Sequence, residues 1–241
     1  MKTQLFSSLL AAAATVATGV YATPALAFDF VPMEEGEIDV GLGCYDDCIQ
    51  LDPIFESIVS LTDSSSGSRS RLFVDNLATK STYNNGGVEF KQKDAGTNQT
   101  GYVFRPSEYN ESTGYAEEKG QLEVGTYTFN FSSVLSELTI DFWDTESNGT
   151  GIMYLNGQDV RKAGGSWLAG GSNNNVQSKT FFDVSSITIS FGNDTAGGTG
   201  DGVNFRMAGT PAPDAATPEP FSMIGAGLAL GAGALLKNRK K

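Results

Sequence analysis

An all-β fold, an antiparallel β-sandwich of jelly-roll-like type, is predicted by three observations. Apolar and polar residues alternate with period two in run after run between residues 126 and 207, the spacing of half-buried strands and not of helices. The runs are short and are parted by stretches rich in Gly, Asn and Ser, which supply hairpin turns. No strand–helix–strand rhythm and no internal repeat occurs, so a parallel α/β design is not indicated. The ends differ in character from this body, which divides the chain into residues 1–27, 28–71, 72–209, 210–217 and 218–241.

Residues 28–71 are acidic and irregular and read as an N-terminal extension. Within them Ile54, Ile58 and Leu61 follow Pro53 at helical spacing, which predicts one short helix. Residues 62–68 read as a loop by composition. The sandwich domain, 72–209, opens with short strands at 72–74, 88–90 and 102–104. In 126–131, Tyr127, Phe129 and Phe131 share one face. In 138–144, Leu138, Ile140 and Phe142 point inward while Thr139, Asp141 and Trp143 point out. A strand at 152–155 meets Asn156-Gly157, a two-residue hairpin signal, and 158–161 returns. Residues 176–182 form a further strand, Ile187, Ile189 and Phe191 alternate again, and so do Val203, Phe205 and Met207. The twelve inward residues from Tyr127 to Met207 are the predicted core. Residues 210–217 are a linker.

The two ends carry processing signals. Lys2 starts a largely apolar stretch that closes on Ala25-Leu26-Ala27, the small-x-small site of a secretory signal peptide, with the cut expected after Ala27. At the other end Pro218-Glu219-Pro220 precedes an uncharged run, 221–236, and then the basic residues Lys237, Arg239, Lys240 and Lys241. Those 16 apolar residues would span about 24 Å as a helix, short against a hydrocarbon core of about 30 Å. Insertion is still feasible with snorkelling basic flanks, and Gly225, Gly227, Gly231 and Gly233 suit close contact with another membrane helix. The basic end belongs on the cytoplasmic side.

This three-part tail resembles the PEP-CTERM sorting signal of Gram-negative bacteria. The resemblance implies a membrane transpeptidase, an exosortase, that recognises the tail and cuts near Pro218-Glu219-Pro220. It implies a protein held transiently in the inner membrane and then placed on the cell surface or in an extracellular matrix. A second resemblance covers roughly the last 120 residues. Leu122-Glu123-Val124-Gly125, Asp141-Phe142-Trp143-Asp144 and Gly200-Asp201-Gly202-Val203 look like a cyanobacterial branch of these proteins, the LEVG family. That family brings no activity with it.

Composition narrows the function. Removing Lys2 and the four basic residues of the tail leaves 11 basic residues against 28 acids, a balance of −17 with Glu219 retained. Such a surface is repelled by nucleic acid and anionic lipid. Histidine is absent, which removes Ser-His-Asp and Cys-His catalysis and every histidine-held metal. Carboxylate-pair chemistry remains open. The two cysteines, Cys44 and Cys48, are expected to join in an oxidising compartment.

Candidate sites are few. Asp144-Thr145-Glu146-Ser147-Asn148-Gly149 sets oxygen side chains around a turn as calcium loops do. Leu155 stands where an EF-hand needs its last acid, so a sandwich-type site is the expectation, with Asp144, Glu146 and Asn148 joined by Asp194 or Asp201. The glycines of 194–202 lack the lysine and helix of a phosphate loop. Trp143, Trp167, Tyr109 and Tyr115 are candidates for stacking on sugar rings. No cofactor is expected beyond calcium. The function these features favour is a non-catalytic structural or adhesive protein of the surface or matrix. The alternatives are a glycan-binding module of the extracellular polysaccharide and, less favoured, a carboxylate-based glycan-active enzyme.

Overall fold

The computed structural model describes residues 27–63, 67–76, 78–83, 87–90, 101–110, 115–116, 124–145, 148–172, 175–192 and 203–213. Among these residues there is no helix, and every strand pairing is antiparallel. The signal segment before Ala27, Pro218-Glu219-Pro220 and the apolar run 221–236 lie outside the described residues.

Strands are numbered β1 to β13 in chain order. Two long ones form the axis, β9 (Gly125–Trp143) and β12 (Val176–Phe191). Each unites two of the predicted short strands. Their ladder runs from Gly125 opposite Phe191 to Trp143 opposite Val176. It breaks once, between Val184, opposite Leu135, and Ser186, opposite Asn130. There β9 spends residues 131–134 against Ser185 alone, a bulge that bends the ribbon.

The break divides the other edge of β9 between two neighbours. β3 (Phe55–Leu61) pairs with the first stretch, and β13 (Asn204–Pro211) with the second. Beyond β13 the sheet continues through β7 (Tyr102–Asn110), β4 (Arg69–Asn76) and β2 (Gly36–Ile38). On the far side of β12 lie β10 (Gly151–Leu155) and β11 (Gln158–Asp159). Asn156 (φ 51°) and Gly157 (φ 75°) join them in the expected tight turn. β1 (Phe28–Asp29) pairs with β13, and β8 (Tyr115–Ala116) with β7. β5 (Ser81–Tyr83) and β6 (Val88–Phe90) form a separate hairpin.

All twelve predicted core residues are buried. Rings on either side of the break meet: Phe129 and Phe205 at 5.8 Å, Phe191 and Phe205 at 4.2 Å, Phe142 and Phe191 at 5.9 Å. Phe55 of β3 reaches Phe104 of β7 at 6.3 Å. Each such buried ring contributes about 1.5–3 kcal/mol relative to exposure, and the offset and edge-on pairs add to that.

Three expectations are corrected. The helix predicted around Ile54, Ile58 and Leu61 is strand β3. A register shift between Phe55 and Ser57 changes the parity of the strand. The strand buries Phe55, Ile58 and Ser60, while Ile54 lies before it and Leu61 is 37% exposed, so the apolar spacing that suggested a helix follows no single buried face. Residues 28–71 are not an extension, because they supply β1, β2, β3 and the start of β4, and Phe30 and Ile38 are fully buried in the main core. Trp143 does not face solvent. It lies between Val176 and Asn204 on the flanking strands and is 8% exposed.

Candidate functional site

The face of β2, β4 and β7 turned away from the main core is the least expected part of the molecule. Along β4 it carries Arg71, Phe73 and Asp75, with Glu37 and Arg105 opposite Phe73 on the adjoining strands. A wet face would suit those charges, yet all are buried. The β5–β6 hairpin covers them, with Val88 and Phe90 packed on Phe73 and with Tyr83 and Tyr45 at the margin.

Burial is tolerated because each charge is paired. Arg105 donates to Asp75 at 2.8 Å, and its guanidinium lies 4.3 Å from the centre of the Phe90 ring. Arg71 is hydrogen-bonded to the Glu37 carboxylate and to the Gly43 carbonyl at 2.9 Å, and stacks 3.8 Å from the Tyr45 ring centre. Glu37 also accepts the Tyr45 N–H at 2.6 Å. Burial raises the pKa of Glu37, against the pull of the Tyr45 N–H and Arg71. Burial likewise raises that of Asp75, against Arg105. The Tyr83 and Tyr127 phenols are pushed up by burial as well.

Tyr45 belongs to the short loop closed by Cys44 and Cys48, whose sulfurs are bonded at 2.03 Å. The expected disulfide is present in the fold. Between this loop and β5 opens a cavity of about 460 Å³ lined by Glu34, Glu35, Asp46, Asp47, Thr82 and Tyr83 among others. Glu35 is engaged there, accepting from the Asn76 N–H at 3.0 Å and the Ser81 hydroxyl at 2.8 Å. An acid-lined cavity of this kind suits cationic groups over anionic ones.

The predicted calcium loop is only partly within view. Asp144 takes a left-handed backbone (φ 64°), and its N–H donates to the Asn175 carbonyl at 2.9 Å. Asn148 is exposed, and its side-chain oxygen accepts the Gly170 N–H at 3.1 Å. Glu146, Asp194 and Asp201 lie outside the described residues. Among the described residues no group of three His, Cys, Asp or Glu side chains is placed to hold a metal ion. Of the aromatic candidates, Trp167 is 38% exposed whereas Trp143 is buried. The side chains of Tyr109 and Tyr115 lie outside the described residues.

Sequence reasoning missed the buried charges. Their signal is present in the chain, where Arg71, Phe73 and Asp75 alternate around an aromatic residue. No family model, curated protein or solved structure matches this chain.

Proposed function

We propose that this is an exported, non-catalytic β-sandwich protein, sorted by an exosortase and serving a structural or adhesive role at the cell surface or in the extracellular matrix. The signal peptide leaves after Ala27, the C-terminal helix holds the chain briefly in the inner membrane, and the transpeptidase acts near Pro218-Glu219-Pro220. The sandwich reading draws support from the ring contacts across the break in the β9–β12 ladder.

One observation carries the processing reading furthest. Ala27 is exposed, and Phe28 immediately after it pairs with Gly209, two residues before β13 ends at Pro211. The described residues therefore begin beside the strand on which they end. A cut after Ala27 and one near Pro218-Glu219-Pro220 would leave every described strand in the product. The Cys44–Cys48 bond adds support, since such bonds persist in oxidising compartments. Intact-mass analysis of native surface or secreted material is the test. The expected species begins at Phe28 and lacks residues 221–241. A species retaining Lys240 and Lys241 overturns the sorting reading.

A further inference from the structure

We propose that Trp167, Tyr154, Arg161 and Asp159 form a binding site for a neutral saccharide, with one pyranose ring stacked on the indole and its hydroxyls on the arginine–aspartate pair. The inference rests on the exported state proposed above only in that export brings the protein to polysaccharide.

The platform is built and not incidental. Trp167 bridges Gly151 of β10, and the flanking residues fix it: Ile152 N–H donates to the Ser166 carbonyl at 2.8 Å and Leu168 N–H to the Thr150 carbonyl at 2.9 Å. Gly151 leaves room for the indole to lie on the strand, since a Cβ there would come within 2.3 Å of the ring. The indole N–H donates to the Arg161 carbonyl at 3.2 Å. The ring is thus oriented from two sides while 38% of the residue stays exposed. An aromatic surface held in place before binding loses little rotamer freedom when a ligand arrives.

The polar partners sit at the same corner. Met153 is a bulge, so Gly151, opposite Ser190, and Tyr154, opposite Thr188, share the face turned from the core. Asp159 lies directly across from Tyr154. Arg161 grips its carboxylate, Nε at 3.0 and 3.1 Å and Nη2 at 2.5 Å, with the guanidinium 5.2 Å from the Tyr154 ring centre. Both side chains remain more than 40% exposed, so further donors and lone pairs meet solvent. The Arg161 hydrogen bonds hold the Asp159 pKa down at about 2, and it stays ionised at any ordinary pH.

A flat apolar ring beside a planar charged pair matches a pyranose, which has an apolar C–H face and hydroxyls around its rim. The pair is neutral in sum while the chain carries a formal charge of −12. Neutral polymers are therefore favoured over acidic ones.

The test is affinity electrophoresis of the full chain in gels containing dextran, xylan or galactomannan, with alginate as the acidic control. Retardation by at least one neutral polymer and none by alginate is expected. Trp167→Ala should weaken it at least tenfold. Because that change also removes packing on Gly151, Arg161→Gln provides the second arm. It keeps the indole and the backbone carbonyl that the indole bonds, and should weaken retardation at least threefold with the melting temperature unchanged. Absence of retardation in all three neutral gels, or retardation unaffected by either substitution, overturns the proposal. Neither result touches the mass analysis, which decides export separately.

Discussion

Asn156 Oδ1 accepts the Ser185 N–H at 2.8 Å and thereby closes the break in the longest ladder of the molecule. The same oxygen accepts the Ser186 N–H at 3.2 Å, and Asn156 Nδ2 donates to the Asp183 carbonyl at 2.8 Å. A residue read from sequence as a hairpin turn also supplies the backbone partners that Ser185 and its neighbours lack where β9 bulges. Asn156→Gly keeps the left-handed turn and removes only the side chain. It is expected to cost about 1.5–4.5 kcal/mol, since each of the three bonds contributes about 0.5–1.5 kcal/mol. Equilibrium urea unfolding measures this. A loss below the error of the extrapolation would show that water replaces the amide at the bend.

The Asp75–Arg105 pair makes the opposite kind of prediction. Both side chains are at most 1% exposed. Removing Asp75 takes from the buried Arg105 the carboxylate that balances its charge, so Asp75→Ala should cost about 3–5 kcal/mol. Replacing both with leucine should cost much less, because two well-packed apolar side chains need no partner. Chemical denaturation of both variants tests this. A double variant as damaged as the single one would mean that the pair fixes the β4–β7 register and does more than satisfy itself.

Glu37 sets a pH signature. Folding raises its pKa from an ordinary value of about 4.5, chiefly through burial. The folded state therefore holds the proton more tightly than the unfolded state. The stability this contributes is complete below the unfolded pKa and is lost as pH rises through the folded value. Glu37→Gln mimics the protonated form at every pH. Its melting temperature should coincide with that of the parent near pH 4 and exceed it as pH rises from the unfolded pKa through the raised folded one. A Gln variant that loses ground as pH rises would show that Arg71, and not burial, governs this carboxyl.

These residues also mark where sequence reading succeeds and where it stops. Tyr127, Phe129 and Phe131, and likewise Val203, Phe205 and Met207, declare their face because period two has one structural meaning when one side is dry. β3 was obscured because its bulge moves the parity. The buried face of β4 was obscured because charge normally marks water, and only the hairpin β5–β6, distant along the fold, excludes water there. Trp167 was legible as an aromatic in a loop. That it rests on Gly151 depends on a bridge between segments sixteen residues apart, which composition does not encode.

The outer edge of β12 carries the last prediction. The Asp144 N–H donates to the Asn175 carbonyl, which fixes the alternation of the ladder. By that alternation Val176, Ser178, Thr180 and Phe182 direct their backbone N–H and C=O groups away from β9. Among the described residues no strand pairs with that stretch, and Val176 and Phe182 are 52% and 62% exposed. A run of free edge groups flanked by apolar side chains invites pairing with another copy. Lys179 interrupts it. It stands opposite Ile140, on the core-facing side between Gln177 and Phe181, where a second strand would force its ammonium group out of water. Lysines so placed guard an edge at a small cost in stability. Lys179→Val should leave the fold intact and produce concentration-dependent dimers or larger species by light scattering, with the parent monomeric at the same concentrations. Adding Thr180→Pro, which removes one outward N–H, should reverse the association. A Lys179→Val protein that stays monomeric at millimolar concentration would show that something other than the lysine protects this edge.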